Sequence, residues 1–129
     1  MSNQGLPKQA KLKSKTSLDE IFASGKSFTV FPIKVFYRVI PRENEKIPVQ
    51  AGVGVSSRNF KKATDRNRIK RLLRETYRTQ QALLTVQEEQ KLEVFFLFLA
   101  KELPVFSELK LIMEAVLQKL SDKIKRANS

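Results

Sequence analysis

Hydrophobic and polar residues alternate along residues 33–40, IKVFYRVI. Such alternation is typical of a β-strand with one buried face, because successive side chains of a strand point to opposite sides. The predicted core-facing side consists of Ile33, Val35, Tyr37 and Val39. The predicted outward side consists of Lys34, Phe36, Arg38 and Ile40.

Three further segments have the composition of strands. Residues 28–31 predict a short strand, and residues 49–57, VQAGVGVSS, predict a longer one in which Gly52 and Gly54 share a face without side-chain bulk. Residues 92–100, LEVFFLFLA, are apolar without interruption. This run predicts a central strand that is buried on both faces.

Apolar spacings of three and four residues predict three helices. The first covers about 16–25 and ends at Gly25, and the second covers about 64–84 with Thr64 as its N-cap. The third covers 107–126. Its predicted buried stripe is Leu109, Ile112, Met113, Val116, Leu120 and Ile124.

The predicted order of elements is helix, strand, strand, strand, helix, strand, helix. A helix between two strands implies a crossover and a parallel pair, whereas the polar segment 41–48 predicts an exposed connection between antiparallel neighbours. We therefore expect an α/β (α+β) sandwich, in which helices pack on one small mixed four-stranded sheet. Residues 16–125 would form this single domain, between a flexible basic N-terminal arm, 1–15, and a frayed C-terminus, 126–129.

The composition narrows the possible functions. The net charge is +12, from 25 Lys and Arg against 13 Asp and Glu, which favours nucleic acid as a partner and an anionic membrane surface as the second candidate. The chain has no Cys and no His. Disulfides, Cys/His metal sites, Cys nucleophiles and His acid-base catalysis are therefore excluded. The N-terminal residues lack an apolar stretch of signal-peptide length, so we expect a cytoplasmic protein.

The second predicted helix carries the densest positive charge. At 100° per residue, its apolar positions fall within an arc of about 140°, and its cations fill the neighbouring arc. The apolar arc contains Ile69, Leu72, Leu73, Thr76 and Tyr77. The cationic arc contains Arg66, Asn67, Lys70, Arg71, Arg74 and Arg78, with Arg68 beyond it. Residues 58–78 hold nine Lys and Arg against Asp65 and Glu75, so the charge is concentrated on one anchored element.

A basic helix face is most often simply solvated, but this one differs from that case. Solvated faces usually alternate charge to form pairs four residues apart, whereas this face offers only Glu75. Arg predominates, and its planar guanidinium suits phosphate oxygens. We interpret the face as a phosphate-binding surface. Asn67 could contact a phosphate, a base edge or a metal-bound water, or could simply favour the start of the helix.

Aromatic placement suggests a second surface. Phe36 lies between Lys34 and Arg38 on the outward side of its strand. Basic and aromatic residues alternate in this way where proteins bind single-stranded nucleic acid. The alternative, that Phe36 packs beneath a helix, stays open, and Leu18 and Phe22 of the first helix could cover the same face.

The string RNRIKRLLRE, residues 66–75, resembles the signature helix of the protein subunit of bacterial ribonuclease P. The resemblance extends to the GVGVSS run at 52–57, to the aromatic at Phe36 and to the end of the first helix at Ile21 and Phe22. It implies a ribosomal-protein-S5-domain-2-like fold. It also implies an RNA subunit that carries the active site, while the protein helps to hold precursor tRNA as its 5′ leader is removed by hydrolysis.

The resemblance and the charge pattern together indicate two sets of site residues. The predicted RNA-binding residues are Arg58, Lys61, Lys62, Arg66, Asn67, Arg68, Lys70, Arg71, Arg74 and Arg78. The predicted lining of the leader cleft is Leu18, Phe22, Lys34, Phe36 and Arg38. Leu18 departs from the aromatic that is common in the family, and segment 59–62 is bulkier and more basic than the glycine-containing turn of many members.

The expected partners are the catalytic RNA subunit and precursor tRNA, with no membrane and no protein partner. No catalytic residue, metal ligand or cofactor is expected in the protein itself, while the RNA-containing holoenzyme would require Mg²⁺. The carboxylates are scattered along the chain rather than paired as a two-metal nuclease requires. A non-catalytic structural RNA-binding protein, similar to a ribosomal protein, remains the alternative.

Overall fold

The computed structural model describes residues 15–42 and 48–127. The predicted N-terminal arm lies outside these residues except for Lys15, and so does most of the predicted connection at 41–48. The described elements follow the predicted order. They are α1 (Lys15–Ser24), β1 (Lys26–Val30), β2 (Ile33–Pro41), β3 (Val49–Val55), α2 (Ala63–Arg78), a short 3₁₀ helix (Gln81–Leu83), β4 (Gln90–Phe98) and α3 (Phe106–Ala127).

The four described strands form one mixed sheet in the order β1-β2-β4-β3. β2 is antiparallel to both β1 and β4, and β3 is parallel to β4, as expected for strands joined through a helix. The prediction that segment 41–48 joins neighbouring strands is wrong, because β4 lies between β2 and β3. The most apolar strand thereby gains a hydrogen-bonded partner on each side, and neither of its edges is exposed.

One face of the sheet forms the core with α2 and α3. The register places the alternate residues of β2, β4 and β3 in common rows, such as Val35 beside Phe96 and Phe96 beside Val53. The predicted core side of β2 is confirmed, with Val39 only partly buried. The buried residues of this face are Ile33, Val35, Tyr37, Ala51, Leu92, Val94, Phe96 and Phe98.

The two long helices bury the faces that their spacing predicts. Ile69, Leu73, Thr76 and Tyr77 of α2 are buried, and Leu72 packs at the margin of the core. The stripe of α3 is confirmed with three differences, since Leu117 and Ser121 are also buried and Ile112 is only partly so. The buried residues of α3 are Leu109, Met113, Val116, Leu117, Leu120, Ser121 and Ile124.

Both ends of α2 differ from the prediction. The helix begins at Ala63 after Lys62, which provides no side-chain cap, so Thr64 lies inside the first turn. The helix stops at Arg78 rather than near residue 84. The backbone N–H of Gln80 donates to the carbonyl of Tyr77 at 3.0 Å, which tightens the last turn. The predicted apolar periodicity therefore continued past the true end of the helix.

The second face of the sheet is covered by α1 over only part of its area. Phe95 and Leu97 of β4 point to this face and remain half-exposed, so the prediction that β4 is buried on both faces is wrong. Gly25 sets the position of α1. A β-carbon at residue 25 would lie 2.5 Å from the carbonyl oxygen of Ile21 and 2.7 Å from that of Tyr37, so only glycine allows this close approach to β2.

Candidate nucleic-acid interface

The basic face of α2 is held outward by the buried side of the same helix. Asn67, Arg68 and Arg71 are exposed, and Lys70 and Arg74 are half-buried. Among the residues that the structure describes, none of these four cations forms an ion pair with a carboxylate. Their mutual repulsion is therefore not offset by a direct ion pair within the described chain, and a bound anion would reduce it.

Arg66 also has a structural task. Its Nη1 donates to the carbonyl oxygens of Phe60 at 2.8 Å and Lys61 at 2.9 Å. These two bonds join the first turn of α2 to the segment that precedes it. The guanidinium is half-buried, and only its remaining donors can reach a phosphate.

The segment before α2, residues 58–62, is fixed on the protein at two points. Phe60 is buried, and the centroid of its ring lies 6.1 Å from that of Phe98. Asn59 Nδ2 donates to the carbonyl of Leu99 at 2.9 Å, at the end of β4. The large side chains of this segment are thus used to fix it on the protein, whereas its three cations stay exposed. The exposed cations are Arg58, Lys61 and Lys62.

Arg78, at the C-terminal end of the basic face, is already paired. Its Nη2 donates to Glu75 Oε1 at 2.7 Å, and its Nε is buried without a hydrogen-bond partner in the described part of the chain. Arg78 is therefore less available to an RNA phosphate than Arg68 or Arg71. Of the ten predicted residues, Arg66 and Arg78 thus form bonds inside the protein through their side chains.

An aromatic cleft lies between α1 and the second face of the sheet, formed by Phe22, Phe36 and Phe95. The ring of Phe22 meets Phe36 edge-on at a centroid distance of 4.9 Å and Phe95 at 5.7 Å. Phe22 is 51% exposed. Lys34 Nζ lies 5.1 Å from the centroid of Phe36 at the rim. Phe36 therefore packs against a helix, as one interpretation predicted, and still presents part of its ring, while its contact with nucleic acid stays a prediction.

Phe95 is the cleft residue that the sequence analysis missed. It lies beside Phe36 on one side and Gly52 on the other in the strand register. A β-carbon at Gly54 would come within 2.5 Å of Phe95 Cζ, so the ring fills the space that the glycine leaves. The predicted bare face at Gly54 is thus occupied by an aromatic ring. The alternation within the apolar run at 92–98 was the available signal.

Arg38, predicted to line the cleft, is held by two carboxylates. Its Nε donates to Glu93 Oε1 at 2.5 Å, and its Nη2 donates to Glu20 Oε1 of α1 at 3.1 Å. Burial lowers the pKa of Arg38, but the hydrogen bond with Glu93 and the charges of Glu93 and Glu20 outweigh it and raise that pKa overall. Arg38 therefore ties α1 to the sheet, and its charge is largely neutralised. Leu18, on the same helix, is half-buried.

One wall of the cleft approaches the basic segment near the C-terminal end of β3, because the ring of Phe95 lies against Gly54. Gly54 and Arg58 are four residues apart, which limits their separation to about 14 Å.

Within the described residues, no cluster of three or more acidic side chains could hold a metal ion. None of the described helices has both the length and the apolar composition that crossing a bilayer requires.

Comparison with known proteins identifies the family. The ribonuclease P family profile matches residues 6–121. The ribonuclease P protein component of Porphyromonas gingivalis (strain ATCC 33277) is 32% identical over 123 residues, 93% of this chain and 89% of that protein. That of Chlorobium phaeobacteroides (strain DSM 266) is 36% identical over 92 residues, 69% and 63% of the respective chains.

The chain belongs to the ribonuclease P protein family. It is a protein component of that endoribonuclease, and the resemblance inferred from residues 66–75 is confirmed. Membership in the ribonuclease P family implies an RNA partner. It also favours a ribonuclease P protein component over the alternative of a structural RNA-binding protein similar to a ribosomal protein.

Solved structures of ribonuclease P proteins share the fold. The Staphylococcus aureus RNase P protein matches with a TM-score of 0.67 at 18% identity, over 86% of this chain and 94% of that one. The Thermotoga maritima protein matches with a TM-score of 0.67 at 21% identity, over 84% and 96%. The predicted sandwich of helices on a mixed four-stranded sheet is thereby confirmed. The RNA contacts of individual residues stay predictions.

Proposed function

We propose that the chain binds the catalytic RNA subunit of ribonuclease P and the 5′ leader of precursor tRNA. In this role it assists the endonucleolytic removal of the leader, which produces the mature 5′ end of the tRNA. The active site belongs to the RNA, and the protein alone binds no cofactor. Mg²⁺ is required by the RNA-containing holoenzyme, and the process takes place in the cytoplasm, where bacterial tRNA precursors are made.

The observation that supports this proposal is that the chain carries two different surfaces, which approach each other where the ring of Phe95 lies against Gly54, four residues before Arg58. The exposed cations of α2 and segment 58–62 suit phosphates, which any RNA backbone supplies. The cleft of Phe22, Phe36 and Phe95 offers ring faces and edges, which suit the unstacked bases of a single strand. A folded RNA and an unpaired leader can therefore be held at the same time.

The chemistry of the chain also favours catalysis by a partner. Without His and Cys, the side chains that could act as a general base near neutral pH are mainly carboxylates. Glu20 and Glu93 are both engaged with Arg38, and Glu75 is engaged with Arg78. The protein's contribution is then to neutralise phosphates where RNA and substrate meet, which improves the binding of substrate and Mg²⁺.

Reconstitution tests the proposal. The purified protein, the catalytic RNA of the same organism and precursor tRNA are combined at low Mg²⁺, and cleavage is compared with that by the RNA alone and by the protein alone. We expect cleavage with both components to exceed that with RNA alone. Equal cleavage with and without the protein would refute the proposal, and cleavage by the protein alone would locate the active site in the protein.

A leaderless substrate serves as the control for leader binding. The holoenzyme should bind precursor tRNA more tightly than mature tRNA. The ratio of these two affinities should be smaller for the catalytic RNA without the protein. If the protein increases both affinities by the same factor, it binds only the RNA subunit or the tRNA body.

A further inference from the structure

Two lysines of α3 contact one aromatic ring at the β1 edge of the sheet, and a third lysine lies on the same face of β1. Lys119 Nζ and Lys123 Nζ of α3 lie 5.3 and 5.5 Å from the centroid of Phe28. Lys26 lies two residues before Phe28 on β1, so the two side chains point to the same face of the strand. We call Lys26, Lys119, Lys123 and Phe28 the α3 edge patch.

The ring that gathers these lysines is fixed in place. Phe28 is half-buried, and its ring packs edge-on against Tyr37 at a centroid distance of 6.1 Å. The face of an aromatic ring attracts an ammonium ion at an exposed site. The ring therefore holds two positive charges close together at a defined position on the surface.

Nothing in the described chain neutralises these charges directly. Within residues 15–42 and 48–127, neither Lys119 nor Lys123 forms an ion pair with a carboxylate. Asp122 is exposed on a neighbouring side of α3. Like charges four residues apart on a helix repel each other, and an anion bound between them would offset this repulsion.

The helix dipole explains only part of the basic character of α3. Cations in the last turn are stabilised by the carbonyl end of a helix, which accounts for Lys125 and Arg126. Lys119 lies two turns before the end of α3, where this effect has faded. Its position beside Phe28 and Lys123 therefore needs a different explanation.

The α3 edge patch and the basic face of α2 lie towards opposite edges of the molecule. α2 packs beside β3, whereas α3 packs on β2 and β1. β1 and β3 are the two outer strands, separated by three strand spacings, or about 14 Å. The two basic surfaces are therefore separate, and RNA that contacts both has to span at least this distance.

We propose that the α3 edge patch binds a second segment of RNA backbone, so that the protein bridges two RNA segments. The inference rests on the proposed function, because it takes ribonuclease P RNA or its substrate as the polyanion. Lys26, Lys119 and Lys123 contact phosphate oxygens, and Phe28 keeps the two helix lysines at the spacing that a backbone contact needs. A protein that binds both segments fixes where one RNA segment lies relative to the other.

The salt dependence of RNA binding tests the contact. The double variant Lys119→Gln/Lys123→Gln removes two charges of the patch. Its matched control, Lys110→Gln/Lys125→Gln, removes two exposed charges from the sides of the same helix that point away from Phe28. We expect the slope of log K against log salt to become shallower by about 1–2 in the patch variant. An equal change in both variants would overturn the inference, because net charge alone would then explain it.

A tethered cleavage reagent tests the bridge in the assembled holoenzyme. The chain has no Cys, so Lys119→Cys and Thr64→Cys each provide one attachment point for an iron chelate that cuts nearby RNA. We expect cuts from position 119 in a segment different from that cut from position 64 on α2. Cuts in the same segment, or no cuts from position 119 above the level of free reagent, would overturn the proposal.

The variants of α2 and of the α3 edge patch distinguish a failure of the proposed bridge from a failure of the proposed function. If Arg68→Gln/Arg71→Gln weakens RNA binding while the α3 edge patch variant does not, only the bridge is lost. If neither variant weakens binding and the protein does not stimulate cleavage, the proposed function is lost with it. Thermal unfolding of each variant separates loss of a contact from loss of the fold.

Discussion

Glu93 and Arg38 are 55 residues apart in the chain, and their side chains meet at 2.5 Å on the face of the sheet that α1 partly covers. The Glu93 side chain is 3% exposed. The same guanidinium reaches Glu20 on α1. This one arginine thus compensates a buried carboxylate and fixes the helix that forms a wall of the aromatic cleft.

Arg38→Ala should therefore destabilise the protein by about 3 kcal/mol, because it leaves the carboxylate of Glu93 buried without its partner. Glu20→Gln, at an exposed position, should cost less than about 1 kcal/mol. Urea unfolding measures both values. The double variant Arg38→Ala/Glu93→Leu should recover part of the loss, and a fully additive double variant would show that the two side chains are not coupled.

Gly54→Ala should displace the ring of Phe95, since the new methyl group would lie 2.5 Å from its Cζ. Overpacking of this kind costs about 1–3 kcal/mol. Phe95→Leu should relieve much of the strain in the double variant, so the two substitutions should be strongly non-additive by urea unfolding. Independent effects would mean that the ring can leave this position without cost.

Arg68→Ala and Arg71→Ala should each weaken RNA binding and make its salt dependence shallower by about one phosphate contact. Both side chains are exposed and free of ion pairs with the described carboxylates. Lys110→Ala, on α3, is the matched loss of one exposed cation. Titrations at several salt concentrations give the slopes, and unchanged slopes would remove these arginines from the phosphates.

Phe36→Ala should reduce the preference for substrates with a leader over leaderless tRNA by about 1–3 kcal/mol, because a stacking surface for a base is lost. Phe31→Ala removes a ring that is 69% exposed in the turn after β1 and should leave the preference unchanged. Binding of the two substrates to each reconstituted variant supplies the comparison. An equal loss for both substrates would make Phe36 a packing residue.

Tyr77→Phe should change the stability of the protein in alkali. Burial raises the pKa of Tyr77 to about 12 from its ordinary value of 10.0. The folded state therefore holds the phenol proton more tightly than the unfolded state. The stabilisation of the folded state that comes from this difference is complete below pH 10. It is lost as the pH rises towards 12, which lowers the free energy of unfolding by up to about 2.7 kcal/mol. Unfolding free energies between pH 9 and about 12 should fall more steeply for the natural protein than for the variant, and parallel curves would contradict the assignment.

The parts of the fold that depend on local spacing were predictable. Ile69, Leu73 and Tyr77 recur at helical intervals, so the buried side of α2 and the direction of its arginines followed from the sequence. The alternate positions of Val35 and Tyr37 likewise predicted which face of β2 is buried. These patterns are set by the geometry of a single element.

The parts that depend on distant pairing were not predictable. Arg38 and Glu93 carry no signal of their contact, because strand register across 55 residues is decided by the packing of the whole sheet. For the same reason, the apolar run of β4 predicted burial on both faces, although α1 leaves Phe95 half-exposed. The start of α2 at Ala63 was missed because the chain is held there by Arg66 and by buried Phe60, not by a side-chain cap.

The central position of β4 bears on how the chain can fold during its synthesis. β1 and β2 can pair as soon as residue 41 has been made, but β3 has no neighbour until residues 90–98 emerge. Translation therefore exposes α2, with its positive charge, before the sheet that anchors it exists. The nascent chain therefore passes through a stage in which the cations of α2 are not yet held on one side by a packed core, and completion of β4 and α3 ends that stage.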